Sequence, residues 1–173
     1  MTDVTAVPHL DIDRYMGRWY EICRLPTKWE DRTATDITAN YSLTDDGKVR
    51  VDNRCFDEDG KPAQAVGEAT AVDDSNSRLK VTFLPEFVRW VPFTTADYWV
   101  LKIDPDYRMA LVGTPDRKYL WVLAREPRVT KEALEDYLGE ARRQGFDLGF
   151  DLTGLITPQH TGREVTDAMV QNS

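Results

Sequence analysis

Hydrophobic and polar positions alternate with a period of two through most of the chain. Val49, Val51, Asn53 and Cys55 fall on one face of a run whose other face carries Lys48, Arg50, Asp52 and Arg54. Leu79, Val81 and Phe83 likewise oppose Arg78, Lys80 and Thr82. Such runs predict strands with one dry face and one wet face. Eight of them follow one another, at 17–26, 34–43, 48–56, 64–72, 78–84, 97–103, 107–113 and 118–125. Asp45-Asp46-Gly47, Asp57-Glu58-Asp59-Gly60, Asp73-Asp74-Ser75-Asn76, Asp104-Pro105-Asp106 and Thr114-Pro115-Asp116 separate them. Glycine takes positive φ, proline fixes φ and aspartate bonds its own backbone, so these are turns with a mechanism. Eight short strands at even spacing with no helix between them predict an antiparallel sandwich or barrel.

The eighth run is apolar on both faces from Leu120 to Ala124, so something must cover its outside. The next segment supplies a cover. Thr130 can cap a helix in which Leu134, Tyr137, Leu138 and Ala141 form one stripe. Arg142 and Arg143 suit its C-terminal dipole, Gly145 suits a left-handed stop, and the interior Gly139 weakens it by about 1 kcal/mol relative to alanine. The expectation is a helix over 130–144, a short strand or clasp within 146–156, and a loose polar tail over 157–173. A tryptophan on the first strand, Trp19 after Gly17, and an arginine at the end of the last, Arg125, can meet only if the sheet closes on itself.

The 173 residues are enough for one domain, read as an N-terminal arm (1–10), a barrel with its helix (11–156) and the tail. Hydrophobic residues make up 41% and charged residues 30%, a soluble, globular balance. The net charge of −8 and the lack of a Lys/Arg cluster disfavour a nucleic-acid partner held by phosphate contacts. No run reaches the ~18 apolar residues of a membrane helix. The polar, acidic start from Met1 to Ile12 reads as no signal peptide, which predicts a cytoplasmic protein. The outer membrane or periplasm is the alternative if a leader was removed. Cys23 and Cys55 show no disulfide framework.

Gly17-Arg18-Trp19, the looser Thr95-Ala96-Asp97-Tyr98, and Arg125 match the three sequence motifs of the lipocalins, and the order of eight strands followed by one helix fits as well. The stretches Tyr15–Ile22, Asp97–Leu101 and Arg117–Trp121 resemble the bacterial lipocalins and the plant temperature-induced lipocalins most closely. The resemblance covers roughly residues 11–152. It implies an all-β fold: an eight-stranded antiparallel up-and-down barrel, the lipocalin calyx, with one C-terminal helix packed outside. Gly17, Trp19 and Arg125 would close the base of the barrel, the guanidinium lying on the indole.

An eight-stranded barrel has room for one small ligand or for packed side chains. The expected inward residues are Cys23, Ala39, Tyr41, Val51, Asn53, Gly67, Ala69, Val81, Phe83, Tyr98, Val100 and Trp121. Gly67 and Ala69 would leave room, and Tyr41 and Asn53 are the polar candidates. The proline-rich segment 84–93 predicts a loop at the mouth, with Trp90, Val91 and Phe93 as an entrance lip, a dimer contact or a membrane-touching patch. Trp29 is a second lip candidate. Catalysis has little support, because His9 and His160 fall in the arm and tail, away from any nucleophile. A cavity thiol at Cys23, as in lipocalin-type prostaglandin synthases, is weighed against a buried inert thiol, which is favoured. Glu21 is expected to pair with an arginine. No metal site and no cofactor are expected. The reading is a monomeric or homodimeric carrier of one fatty acid or lysophospholipid, with a polar head near the mouth. A role in membrane-lipid maintenance or stress protection is implied by the resemblance. A tetrapyrrole or carotenoid carrier and a non-binding barrel used for protein interaction are the alternatives.

Overall fold

The computed structural model describes residues 3–27, 32–83, 95–150 and 154–171. Eight antiparallel strands close in sequence order, β1 Gly17–Arg24, β2 Thr35–Leu43, β3 Val49–Phe56, β4 Pro62–Ala71, β5 Arg78–Phe83, β6 Thr95–Ile103, β7 Met109–Gly113 and β8 Leu120–Ala124, with β8 paired back to β1. A single helical turn, α1 (Ile12–Tyr15), precedes them, and α2 (Lys131–Arg143) and α3 (Asp167–Gln171) follow.

Five of the hairpins use one turn design. A left-handed residue occupies the fourth position each time: Gly47, Gly60, Asn76, Tyr107 or Arg117. Its N–H donates to the carbonyl of the first residue, Thr44, Asp57, Asp73, Asp104 or Thr114. The side chain of that first residue then accepts from N–H groups further along the turn, as when Asp104 Oδ1 takes the amides of Arg108 (2.6 Å) and Met109 (2.7 Å). The Asp and Thr residues that punctuate the sequence thus act as local acceptors.

The two faces of the sheet build two cores. Inside lie Trp19, Tyr41, Val51, Ala69, Leu79, Val81, Val100, Ala110, Val112 and Leu123, with Leu10 and Tyr15 from the N-terminal segment. Outside, Met109, Leu111, Leu120 and Val122 pack under Tyr137, Leu138 and Ala141 of α2. This is why β7 and β8 are apolar on both faces. Helix α2 begins as expected, with Thr130 Oγ1 accepting from the Ala133 amide (3.1 Å), and Gly145 follows it at φ 92°. A side chain at Gly145 would meet Arg117 Nε at 2.8 Å.

The base is tied by Arg125. Its guanidinium carbon lies 3.8 Å from the Trp19 ring centroid. Its three nitrogens donate to the carbonyls of Arg18 (2.8 Å), Arg14 (2.8 Å) and Tyr107 (3.1 Å). Trp19 Nε1 donates to the Tyr15 carbonyl (2.8 Å). One residue therefore joins β1, β8, α1 and the turn before β7.

Ile156, in the stretch expected to add a short strand or clasp, bridges Arg24, whereas residues 157–171 depart from the loose tail expected of them. They run over the outside of β1–β4. β1 and β2 are paired only from Gly17↔Tyr41 to Tyr20↔Thr38. Beyond that point Arg24 bridges Ile156, the Asp36 amide donates to the Gln159 carbonyl (2.8 Å), and Asp36 accepts from Thr161 through both carboxylate oxygens. His160 packs edge-on to Tyr20 and its Nε2 lies 2.7 Å from the Glu21 carbonyl. Further along, Arg54 holds Val165 O and Asp167, and Arg163 covers the Phe56 ring. The polar composition of this segment reflects hydrogen bonding to the barrel wall.

Two stability changes follow. Arg125→Ala removes a cation–π contact and leaves three carbonyls without their donor, so urea unfolding should show a loss of about 2–3 kcal/mol, only partly restored by lysine. Gly139 lies in α2, and a Cβ added there would meet nothing within 4 Å, so Gly139→Ala should raise stability by up to about 1 kcal/mol in the same assay.

Candidate functional site

The lumen has two zones. Toward the base, Trp19, Val51, Ala69, Val81 and Val100 are buried against one another. Toward the open end, the inner positions Ala39, Asn53, Ala65, Phe83, Ala96 and Trp121 keep some of their surface accessible. These are small or apolar except for Asn53, whose amide makes no hydrogen bond among the described residues. Its cross-strand neighbours are Ala39 on β2 and Ala65 on β4, which leave space beside it.

A bulge in β1 changes which side chains face inward. Against β8, Glu21 pairs with Leu123 but Cys23 pairs with Val122, so one extra residue lies between them. A one-residue slip exchanges the faces of everything beyond it. Glu21 precedes the slip and shares the inner side with Trp19 and Leu123. Ile22 and Cys23 both join the outer core under α2. Arg24 falls opposite the inward Trp121, and its Nη1 donates to Glu21 Oε2 at 2.7 Å. Both groups of this ion pair are buried, with Arg24 at 1% exposure and Glu21 at 4%. Glu21 thus has the arginine partner expected of it.

Cys23 is therefore corrected: it does not line the lumen. Burial, followed by the nearby Glu21 carboxylate, pushes its thiol up to about 12. A thiol this protonated is a poor nucleophile, and its position outside the barrel separates it from a ligand in the lumen.

Three tyrosines occupy the lower lumen. Tyr41 Oη lies 2.8 Å from Tyr98 Oη, and Tyr15 Oη lies 2.6 Å from the same oxygen. Burial raises the pKa of all three, so each stays a neutral O–H donor. A small cavity of about 20 Å³ adjoins them, walled otherwise by apolar residues including Leu10, Ile12, Met16 and Leu79.

Ala39, Tyr41, Val51, Asn53, Gly67, Ala69, Val81, Phe83, Tyr98, Val100 and Trp121 share the inner face by strand register. Gly67 leaves less free space than expected, since an added Cβ would sit 2.8 Å from the Thr82 carbonyl and 3.2 Å from the Phe83 ring. Its lack of a side chain serves close packing of β5. Ala69 belongs to the packed lower zone. Trp90, with Val91, Phe93 and Trp29, lies outside the described residues. Sequence reasoning missed Arg24 and Tyr15. A polar residue alone among Ile22, Cys23 and Leu25 was the signal for the first, and the aromatic Tyr15 one turn before Trp19 was the signal for the second.

Comparison with known proteins fits this geometry. Residues 10–157 match the model of the lipocalin-like domain. The chain belongs to the lipocalin family. Temperature-induced lipocalin-1 of Arabidopsis thaliana is 38% identical over 149 residues, covering 84% of this chain and 79% of that protein. The outer membrane lipoprotein Blc of Escherichia coli K12 is 40% identical over 147 residues, covering 84% and 78%. Among solved structures, insecticyanin of the tobacco hornworm Manduca sexta superposes with a TM-score of 0.68 at 21% identity, covering 97% of this lipocalin and 87% of that chain. Lobster apocrustacyanin A1 superposes at 0.66 with 12% identity, covering 86% and 79%. At these identities the two structures speak for the fold alone. Family membership supports binding of a small hydrophobic ligand.

The Cys23 thiol gives a pH test. An unfolded thiol ionises near 9 and the folded one near about 12, so between these values the folded chain keeps a proton that the unfolded chain has lost. Stability must therefore fall as pH rises through this window. Cys23→Ala should flatten the decline in urea midpoint between pH ~8 and ~10, and an unchanged slope would contradict the burial of this thiol.

Proposed function

We propose that this lipocalin binds one fatty acid or lysophospholipid, its acyl chain in the lumen and its polar head toward the open end. The observation that carries this reading is the partly accessible inner wall at Ala39, Ala65, Phe83, Ala96 and Trp121, an apolar surface that a chain-like ligand would cover. Each buried methylene contributes about 0.8 kcal/mol, so a medium-length chain offsets the cost of immobilisation. The Asn53 amide is the polar group best placed to meet an ester, hydroxyl or carboxyl oxygen from within the upper lumen.

Binding is favoured over catalysis by the same geometry. His160 is engaged with the outer wall and His9 is in the N-terminal segment. Among the described residues no three His, Cys, Asp or Glu side chains gather where they could hold a metal ion. The names of the relatives, a temperature-induced lipocalin and an outer membrane lipoprotein, support a role in membrane-lipid maintenance or stress protection. The second name also supports placement at the bacterial envelope as the alternative to the cytoplasm.

Displacement of a fluorescent fatty acid from delipidated protein tests the reading. Saturable displacement by unlabelled fatty acid or lysophospholipid is expected. Ala39→Phe, which fills the space beside Asn53, should weaken it at least tenfold, on the order of the contacts of two buried methylenes. No displaceable binding, or a purified protein carrying a coloured pigment, would overturn the proposal.

A further inference from the structure

In the closed ring β2 and β6 stand four strands apart, on opposite walls of an eight-stranded barrel. Tyr41 and Tyr98 reach from these two walls and meet in the lumen, hydroxyl to hydroxyl at 2.8 Å. Tyr15 reaches the same Tyr98 oxygen from α1, at 2.6 Å. The three rings pack at centroid separations of 5.7, 6.0 and 6.5 Å. Tyr15 stands in turn on Trp19, 4.9 Å away, and Trp19 carries Arg125. The lumen is thus crossed by an aromatic bar seated on the closure of the base.

Counting protons adds a second observation. Three hydroxyls bring three O–H donors, and the two contacts use two of them. The third has no acceptor among the described residues. The bar borders the cavity of about 20 Å³ that also touches Leu10, Ile12 and Met16. A space of this size takes one water, and a water there would accept the remaining proton. It is too small for an acyl chain.

We propose that the Tyr41–Tyr98 bar, propped by Tyr15, sets the depth of the binding site and so the length of acyl chain that this lipocalin prefers, with one water held beneath it. The inference rests on the fatty-acid reading above. A chain lying over the bar gains about fourfold in affinity with each methylene it buries. Once the terminal methyl reaches the rings, a further methylene must either stay outside or break the hydroxyl contacts that Tyr98 makes with Tyr41 and Tyr15. Affinity then stops rising.

The experiment is a series of saturated fatty acids of increasing length, titrated against the wild type and against Tyr98→Leu, Tyr41→Leu and Tyr98→Phe. The wild type should show a break length beyond which affinity is flat. Either leucine variant should move the break to longer chains, with about fourfold gained for each methylene past the old limit. Tyr98→Phe keeps the ring and should keep the wild-type break, and this variant guards against a folding failure of the others. A wild type with no break, leucine variants that share its break, or a phenylalanine variant that moves it as far as leucine would overturn the ruler. If no acid binds the wild type, the ligand reading fails, and xenon then tests the bar alone. Xenon should enter the lower lumen of the leucine variants, seen as a shifted ¹²⁹Xe resonance, and not that of the wild type. Equal uptake by both would overturn the bar.

Discussion

The barrel depends on one guanidinium. An eight-stranded sheet has no edges only if its last strand finds its first, and Arg125 stands where they meet. It lies on the Trp19 indole and holds three carbonyls from three separate pieces of chain. The Tyr107 carbonyl is offered by a turn in which a non-glycine residue adopts φ 56°. Contacts of the Tyr107 side chain offset the strain: Arg14 lies 4.3 Å from its ring centroid, and its hydroxyl accepts the Asp11 amide. Closure at the base means that any ligand must enter from the opposite end or through the wall.

Much of the fold was legible because its signals are local. The Asp and Thr residues that open the hairpins form the same hydrogen bonds in turn after turn, and strand boundaries shift from expectation by no more than two residues. The helix was legible because its cap, its stripe and its terminal glycine agree. The double-sided burial of Leu120–Ala124 correctly demanded an outer layer.

What was not legible depends on register between distant strands. Straight alternation along β1 puts Trp19, Glu21 and Cys23 on one face. The bulge breaks that rule after Glu21, turns Cys23 outward and brings Arg24 in. Within β1 the polar Arg24 among apolar neighbours hints at the slip, but its position is defined by the pairing with β8, about a hundred residues away. The same holds for Gly67, whose crowding comes from Phe83 on the next strand, and for 157–171, whose polar side chains are matched by Asp36, Arg54 and Arg18 on the wall. The tyrosine bar was half visible, since Tyr41 and Tyr98 were read as inward but their meeting across the lumen required the closed ring.

The lower lumen of this lipocalin is thus occupied by its own aromatics, and the proposed function places the acyl chain in the upper lumen. Native mass spectrometry of protein isolated from its own host, followed by denaturing extraction, tests this division most directly. One acyl-chain molecule per folded chain is expected, released on denaturation. A chain that carries no adduct, or an adduct retained undiminished when Ala39→Phe fills the upper lumen, would contradict it.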